Sequence, residues 1–166
     1  PRSTLFPYTT LFRSSLFLLL SILLFFFDQL TKYYVVLNSE LLIYGIKITS
    51  FFNLVYVINK GISFGLLADL NISFYLGIFS FLASIFIILW MLKTKNIYET
   101  LALSMILGGA LGNGFDRIKD SYVVDFIDVH IADYHWPAFN FADLCISLGA
   151  IIYISYNYLF INERKK

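Results

Sequence analysis

The chain has 166 residues, of which 59% are hydrophobic and only 14% charged. Against an ordinary soluble domain that is too much oil and too little charge, which leaves a small polytopic membrane protein of one domain. A formal net charge of +1 points to no nucleic-acid partner, and a single cysteine excludes an intrachain disulfide framework or a multi-cysteine metal site.

Residues 1–14 read PRSTLFPYTTLFRS. The TLFPYTTLFRS portion matches the translation of a common sequencing-adapter oligonucleotide, a better account than a genuine basic leader. Residues 1–14 are therefore expected to lie outside the fold, with the true initiator missing. Without Arg2 and Arg13 the formal charge falls from +1 to −1. Residues 15–37 form the first spanning candidate, since 23 residues at about 1.5 Å rise cover roughly 34 Å. It holds Asp28 and Lys32 at i and i+4, acid first, the favourable order for a helical ion pair. Such a pair either snorkels at the helix end or faces a site.

Residues 46–57 are rich in Ile, Thr, Val, Tyr and Phe and partly alternate, which predicts short strands after a turn at Gly45. The Asn59-Lys60-Gly61-Ile62-Ser63-Phe64-Gly65 stretch beyond them predicts a turn or a close backbone approach. Further spans are expected at 72–92, 97–115 and 139–161, with Trp90 as an interfacial anchor and Gly108 and Gly112 in a GxxxG spacing. Lys93, Lys95, Arg164, Lys165 and Lys166 flank span ends on one side, which makes that side and both termini cytoplasmic; Arg117 and Lys119 count mildly the other way. The fold class is thus an all-α polytopic membrane protein of four transmembrane helices with a small extracytoplasmic β element.

Six of the eleven acidic residues fall between Gly108 and Asp143. Charge concentrated at a membrane face is costly and marks a functional site by default. Asn113, Asp116 and Arg117 share a helix face, where Asp116 and Arg117 can also be a plain structural pair. Asp125 sits in the apolar run Val123-Val124-Asp125-Phe126-Ile127, where poor solvation favours its protonated form. Asn140 and Asp143 come after Pro137 where the last helix begins, Asn140 as N-cap and Asp143 in the first turn, where the helix favours a charged carboxylate. Two carboxylates with environments so opposed make an acid–base pair suited to peptide hydrolysis without a metal. Asp116, Asp125 and Asp128 are all within reach of Asp143 by sequence; Asp125 is favoured because the arginine next to Asp116 would keep that carboxylate ionised. A metal set of Asp128, His130, Asp133 and His135 has no spacing with a known mechanism. There is no GxSxG, and Cys145 reads as a buried structural thiol.

Four motifs in order carry a resemblance: DQLTK at 28–32, FFNLVYVINKGISFG at 51–65, GGALGNGFDR at 108–117 with VVDFID at 123–128, and FNFAD at 139–143. Together they cover the chain from about Leu16 to its tail, and the chain resembles the signal peptidase II (lipoprotein signal peptidase) family of bacterial membrane aspartic proteases. Ser63 stands where that family commonly has alanine. The resemblance implies Asp125 and Asp143 as the catalytic dyad. It implies Asn113, Asp116 and Arg117 as site-shaping groups, Arg117 toward substrate backbone, and Asn140 as the group orienting Asp143. Asn59 and Gly61 fall in the substrate-binding loop, and Asp28 and Lys32 support the site from the first helix. It further implies a prolipoprotein substrate carrying diacylglycerol on a cysteine, cut on that cysteine's N-terminal side. Membrane lipid is the other partner, with no cofactor or metal, a monomer, and a bacterial inner-membrane location with the site near the extracytoplasmic face. A small proton-coupled transporter and a non-enzymatic scaffold or inactive homologue are the competing classes; no internal repeat supports the former.

Overall fold

The computed structural model describes residues 5–61 and 72–158. Its elements run α1 (Leu5–Leu37), α2 (Ser39–Leu42), β1 (Ile46–Lys47), β2 (Phe52–Asn59), α3 (Ser73–Lys93), α4 (Ile97–Asp120), β3 (Val123–Ile131), β4 (Tyr134–His135) and α5 (Phe141–Tyr156). The fold is mostly helical with one small antiparallel sheet in the order β1-β2-β3-β4. Phe12–Leu37 and Ser73–Lys93 are long and apolar enough to cross a membrane, and α5 is a shorter apolar helix. Residues 62–65 of the loop motif, the end of the expected last span at 159–161 and the basic tail lie outside the described residues.

Helix α4 is the hub, packing on α1, α3 and α5. Small residues permit this. A Cβ at Gly108 would meet Leu24 Cβ at 2.8 Å, and one at Gly109 would meet Ile146 Cγ1 at 2.8 Å, so α1 and α5 approach two faces of α4 closely. Met91, Leu103 and Leu107 form the buried centre of this bundle, with Phe17, Leu18, Ile87, Ile88 and Leu111 around them. A second cluster of Val35, Leu42, Val124 and Phe126 joins the end of α1 to the sheet.

Several element bounds differ from the sequence expectation. Helix α1 begins at Leu5, and within 1–14 Arg13 donates to Thr94 O at 2.9 Å while Ser14 donates to Met91 O at 3.3 Å. Helix α4 runs past Phe115 to Asp120, because Arg117 and Lys119 suit its C-terminal end, and it stops at Ser121 in a left-handed conformation, φ 61°. The start of α5 agrees with the sequence reading: Asn140 is the N-cap and Asp143 lies in the first turn, the two forming a reciprocal capping box. Gly45 turns at φ 74°, just before β1.

The sheet presents the site. Strand alternation sends Val123 and Asp125 to one face and Val124, Phe126 and Asp128 to the other. Strand β2 pairs Asn53 with Asp128 and Asn59 with Val123, with a register irregularity between Leu54 and Val57. That irregularity lets two asparagines of one strand serve carboxylates on opposite faces, since a one-residue slip reverses the direction of every later side chain.

Candidate active site

Asp125, Asp143, Asn59, Asn113 and Arg117 line one cavity of about 380 Å3, walled by Trp136, Pro137, Ala138 and Phe139. Each carboxylate is held by amides from other elements. Asn59 donates to Asp125 Oδ2 at 3.0 Å, and Asn140 donates to Asp125 Oδ1 at 2.7 Å. Asn113 donates to Asp143 Oδ1 at 2.7 Å. Asn140 also accepts from the Asp143 N–H at 3.0 Å, so one side chain contacts both acidic residues. The Asn140 side chain is fully buried and Asp125 is 2% exposed.

Burial first, and then the charge of Asp143, push the Asp125 carboxyl up to about 6; the hydrogen bonds from Asn59 and Asn140 only moderate the rise. Asp125 therefore keeps its proton to a higher pH than an ordinary carboxylic acid. Asp143 sits in the first turn of α5, where its Oδ2 accepts from the Asn140 N–H at 3.3 Å.

Beneath the dyad lies a buried polar plug. Lys32 Nζ donates to Asp28 Oδ2 at 2.7 Å, Asn113 Oδ1 at 2.8 Å and Asp116 Oδ2 at 2.6 Å. Asp28 also accepts from the Ala142 N–H at the start of α5, at 2.9 Å. Asp28 and Lys32 are both buried, so the pair faces inward and does not snorkel. Asn113 joins plug to dyad, accepting from Lys32 and donating to Asp143.

The expected Asp116–Arg117 pair does not form. Adjacent residues on a helix point different ways, and Asp116 turns to Lys32 and Gln29 whereas Arg117 donates to Gly61 O at 3.0 Å. Gly61 N–H in turn donates to Asn59 Oδ1 at 3.0 Å, so Arg117 steadies the loop that holds Asp125. Of the three carboxylates within sequence reach of Asp143, Asp125 shares its cavity, Asp116 lies in the plug and Asp128 faces away with Asn53 and His135. No group of three or more His, Cys, Asp or Glu among the described residues is placed to hold a metal ion.

Residues 20–159 match the family model described as signal peptidase (SPase) II. The chain is 44% identical over 144 residues to a lipoprotein signal peptidase of Coxiella burnetii, covering 82% of this chain and 86% of that one. It is 46% identical over 134 residues to one from a Janthinobacterium species, covering 76% and 78%. The chain belongs to the signal peptidase II family.

Two solved structures, both of a bacterial membrane enzyme, superpose on it. One has a TM-score of 0.79 at 28% identity over 92% of each chain, the other a TM-score of 0.73 at 28% identity over 88% of this chain and 94% of that one. With its long apolar helices, this family member is membrane-embedded. Sequence reading passed over Gln29, which donates to Asp116 Oδ1 at 2.8 Å, although an amide between Asp28 and Leu30 inside an apolar span was itself a signal. It also passed over Asn53, whose partner Asp128 becomes visible only once β2 and β3 are paired.

Proposed function

We propose that this chain is an aspartic endopeptidase of the membrane in which Asp125 and Asp143 are the catalytic dyad. As a signal peptidase II family member it removes signal peptides from prolipoproteins. The observation that carries the catalytic reading is that Asp125 and Asp143 open on one cavity with different surroundings, one desolvated and one at a helix N-terminus. Asp143 takes a proton from water as its oxygen adds to the scissile carbonyl carbon, while Asp125 gives its proton to the carbonyl oxygen. Collapse of the tetrahedral intermediate breaks the C–N bond, Asp143 returns its proton to the departing amine, and the gem-diol proton restores Asp125.

The supporting groups take distinct roles. Asn59 and Asn140 fix both oxygens of Asp125, and Asn113 fixes Asp143. Arg117, with Gly61, presents a cation and a loop edge to the substrate backbone. Asp28, Lys32 and Asp116 hold Asn113 from below. The substrate is a prolipoprotein bearing a diacylglyceryl group on cysteine, cut on that residue's N-terminal side. The lipid reaches the cavity from the bilayer, and the enzyme acts as a monomer in the bacterial inner membrane.

In this reading α4 and α5 span alongside α1 and α3, within a single domain. Lys93 and Lys95 mark the cytoplasmic side and the sheet stands outside. Labelling of Asp133→Cys by an impermeant maleimide on intact cells, with Lys95→Cys labelled only after lysis, tests this orientation; the reverse pattern refutes it. The dyad is tested by cleavage of a diacylglyceryl prolipoprotein by wild type, Asp125→Asn and Asp143→Asn. Each variant is expected to remain folded and to lose at least about 100-fold in kcat. Wild-type rates in either variant would remove that residue from the dyad.

A further inference from the structure

The edge of the sheet carries a side-chain chain that the dyad does not use. Asn53 on β2 donates to Asp128 Oδ2 at 2.8 Å, and His135 on β4 meets both Asp128 oxygens at 2.8 and 2.9 Å. A carboxylate only accepts, so His135 Nδ1 carries the proton and donates. His130 stacks on His135 with ring centroids 4.7 Å apart and planes 17° from parallel. The turn between them passes through Ala132 at φ 49°, a conformation that a residue with a Cβ adopts against its preference. The hairpin is thus held shut by contacts across its strands.

Directly after His135 the chain becomes the wall of the cavity. Residues 136–138 line it, and Phe139 is pinned separately, donating to and accepting from Ile127 in a backbone bridge. We propose that His135, acting through Asp128 and Asn53, is a positioning residue that sets the substrate-facing wall formed by residues 136–138. The role rests on the peptidase reading above. The dyad is insulated from it: Asp125 and Asp143 are held by Asn59, Asn113 and Asn140, and the Phe139–Ile127 bridge stands between the hairpin and Asn140. Loss of the clamp therefore loosens substrate binding and spares the chemical step.

The test uses the full chain in detergent with a diacylglyceryl prolipoprotein, comparing wild type, His135→Ala and His135→Asn. The amide nitrogen of asparagine stands where Nδ1 stands and keeps the donor to Asp128. His135→Ala is expected to raise KM five-fold or more with kcat within two-fold, and His135→Asn to restore KM to within two-fold of wild type. In a Trp90→Phe background the remaining tryptophan is Trp136, whose emission reports the wall directly. It is expected to shift in His135→Ala and to return in His135→Asn. An unchanged KM and an unchanged emission in His135→Ala overturn the proposal while wild-type cleavage leaves the peptidase reading standing. Equal loss of kcat in both variants also overturns it. If wild type cleaves nothing, the peptidase reading falls and the kinetic role of His135 falls with it.

Discussion

Replacing Asp125 by asparagine separates two effects of opposite sign. Wild type carries a carboxyl raised from an ordinary 3.8 to about 6. That difference amounts to about 3 kcal/mol between the charged and neutral forms. Because the folded value is the higher one, the native state holds a proton that the unfolded chain has already released. The favourable contribution is complete below pH 3.8, is lost as pH rises toward about 6, and stays lost above it. Asparagine does not titrate, so its stability lacks this step. It brings a constant penalty instead. Asn59 and Asn140 both point N–H donors at residue 125, and one must then face the new amide NH2, at a cost of about 1–3 kcal/mol. The stability of Asp125→Asn minus that of wild type is therefore expected to start negative in acid and to climb by about 3 kcal/mol through the window. For a chain of this size that is roughly 6–12 °C of relative melting temperature. Thermal unfolding of both proteins in one detergent, from about pH 3.5 to pH 7.5, measures it. A difference that stays flat would show Asp125 titrating as an ordinary solvated carboxyl and remove the basis for its acid role. A difference that falls with pH would show a carboxylate held ionised.

The same shift predicts that kcat/KM for prolipoprotein cleavage declines as pH rises above about 6, because the general acid loses its proton, and a pH–rate profile checks this. Lys32→Met leaves Asp28 and Asp116 buried without their shared cation, and thermal unfolding should show a loss of about 3–5 kcal/mol. Gly109→Leu forces a side chain into Ile146 across the α4–α5 contact, and a loss of at least about 1–3 kcal/mol is expected in the same assay.

The family was legible in the sequence because its polar motifs stand out against an apolar background, and so were a mostly helical fold and a small sheet after Gly45. The contacts that join the motifs were not. Asp116 next to Arg117 suggested a local pair, but helix geometry turns neighbours apart, and the cation that Asp116 meets comes from Lys32, 84 residues earlier. Asp125 was favoured over Asp116 because no arginine adjoins it, an argument that does not separate it from Asp128; strand alternation does, by putting Asp125 and Asp128 on opposite faces. Helix ends shifted for a similar reason. Hydropathy marks where oil stops, whereas α4 continues to Asp120; the start of α5 was legible, because Asn140 and Asp143 themselves carry the cap signal. Strand pairing is settled by hydrogen bonds that a reading of hydropathy does not contain.

The polar plug has a consequence for biogenesis. Asp28 and Lys32 are made before Asn113, Asp116 and the Ala142 N–H that complete their contacts, which follow 81 to 114 residues later in the chain. Until those partners are made, α1 carries two ionisable groups in a long apolar helix. Their i,i+4 spacing answers this, because the lysine meets the aspartate within its own helix at 2.7 Å. In the folded chain the same ammonium also holds Asn113 and Asp116 of α4. The pair thus balances charge within α1 itself and also anchors α4 and the start of α5.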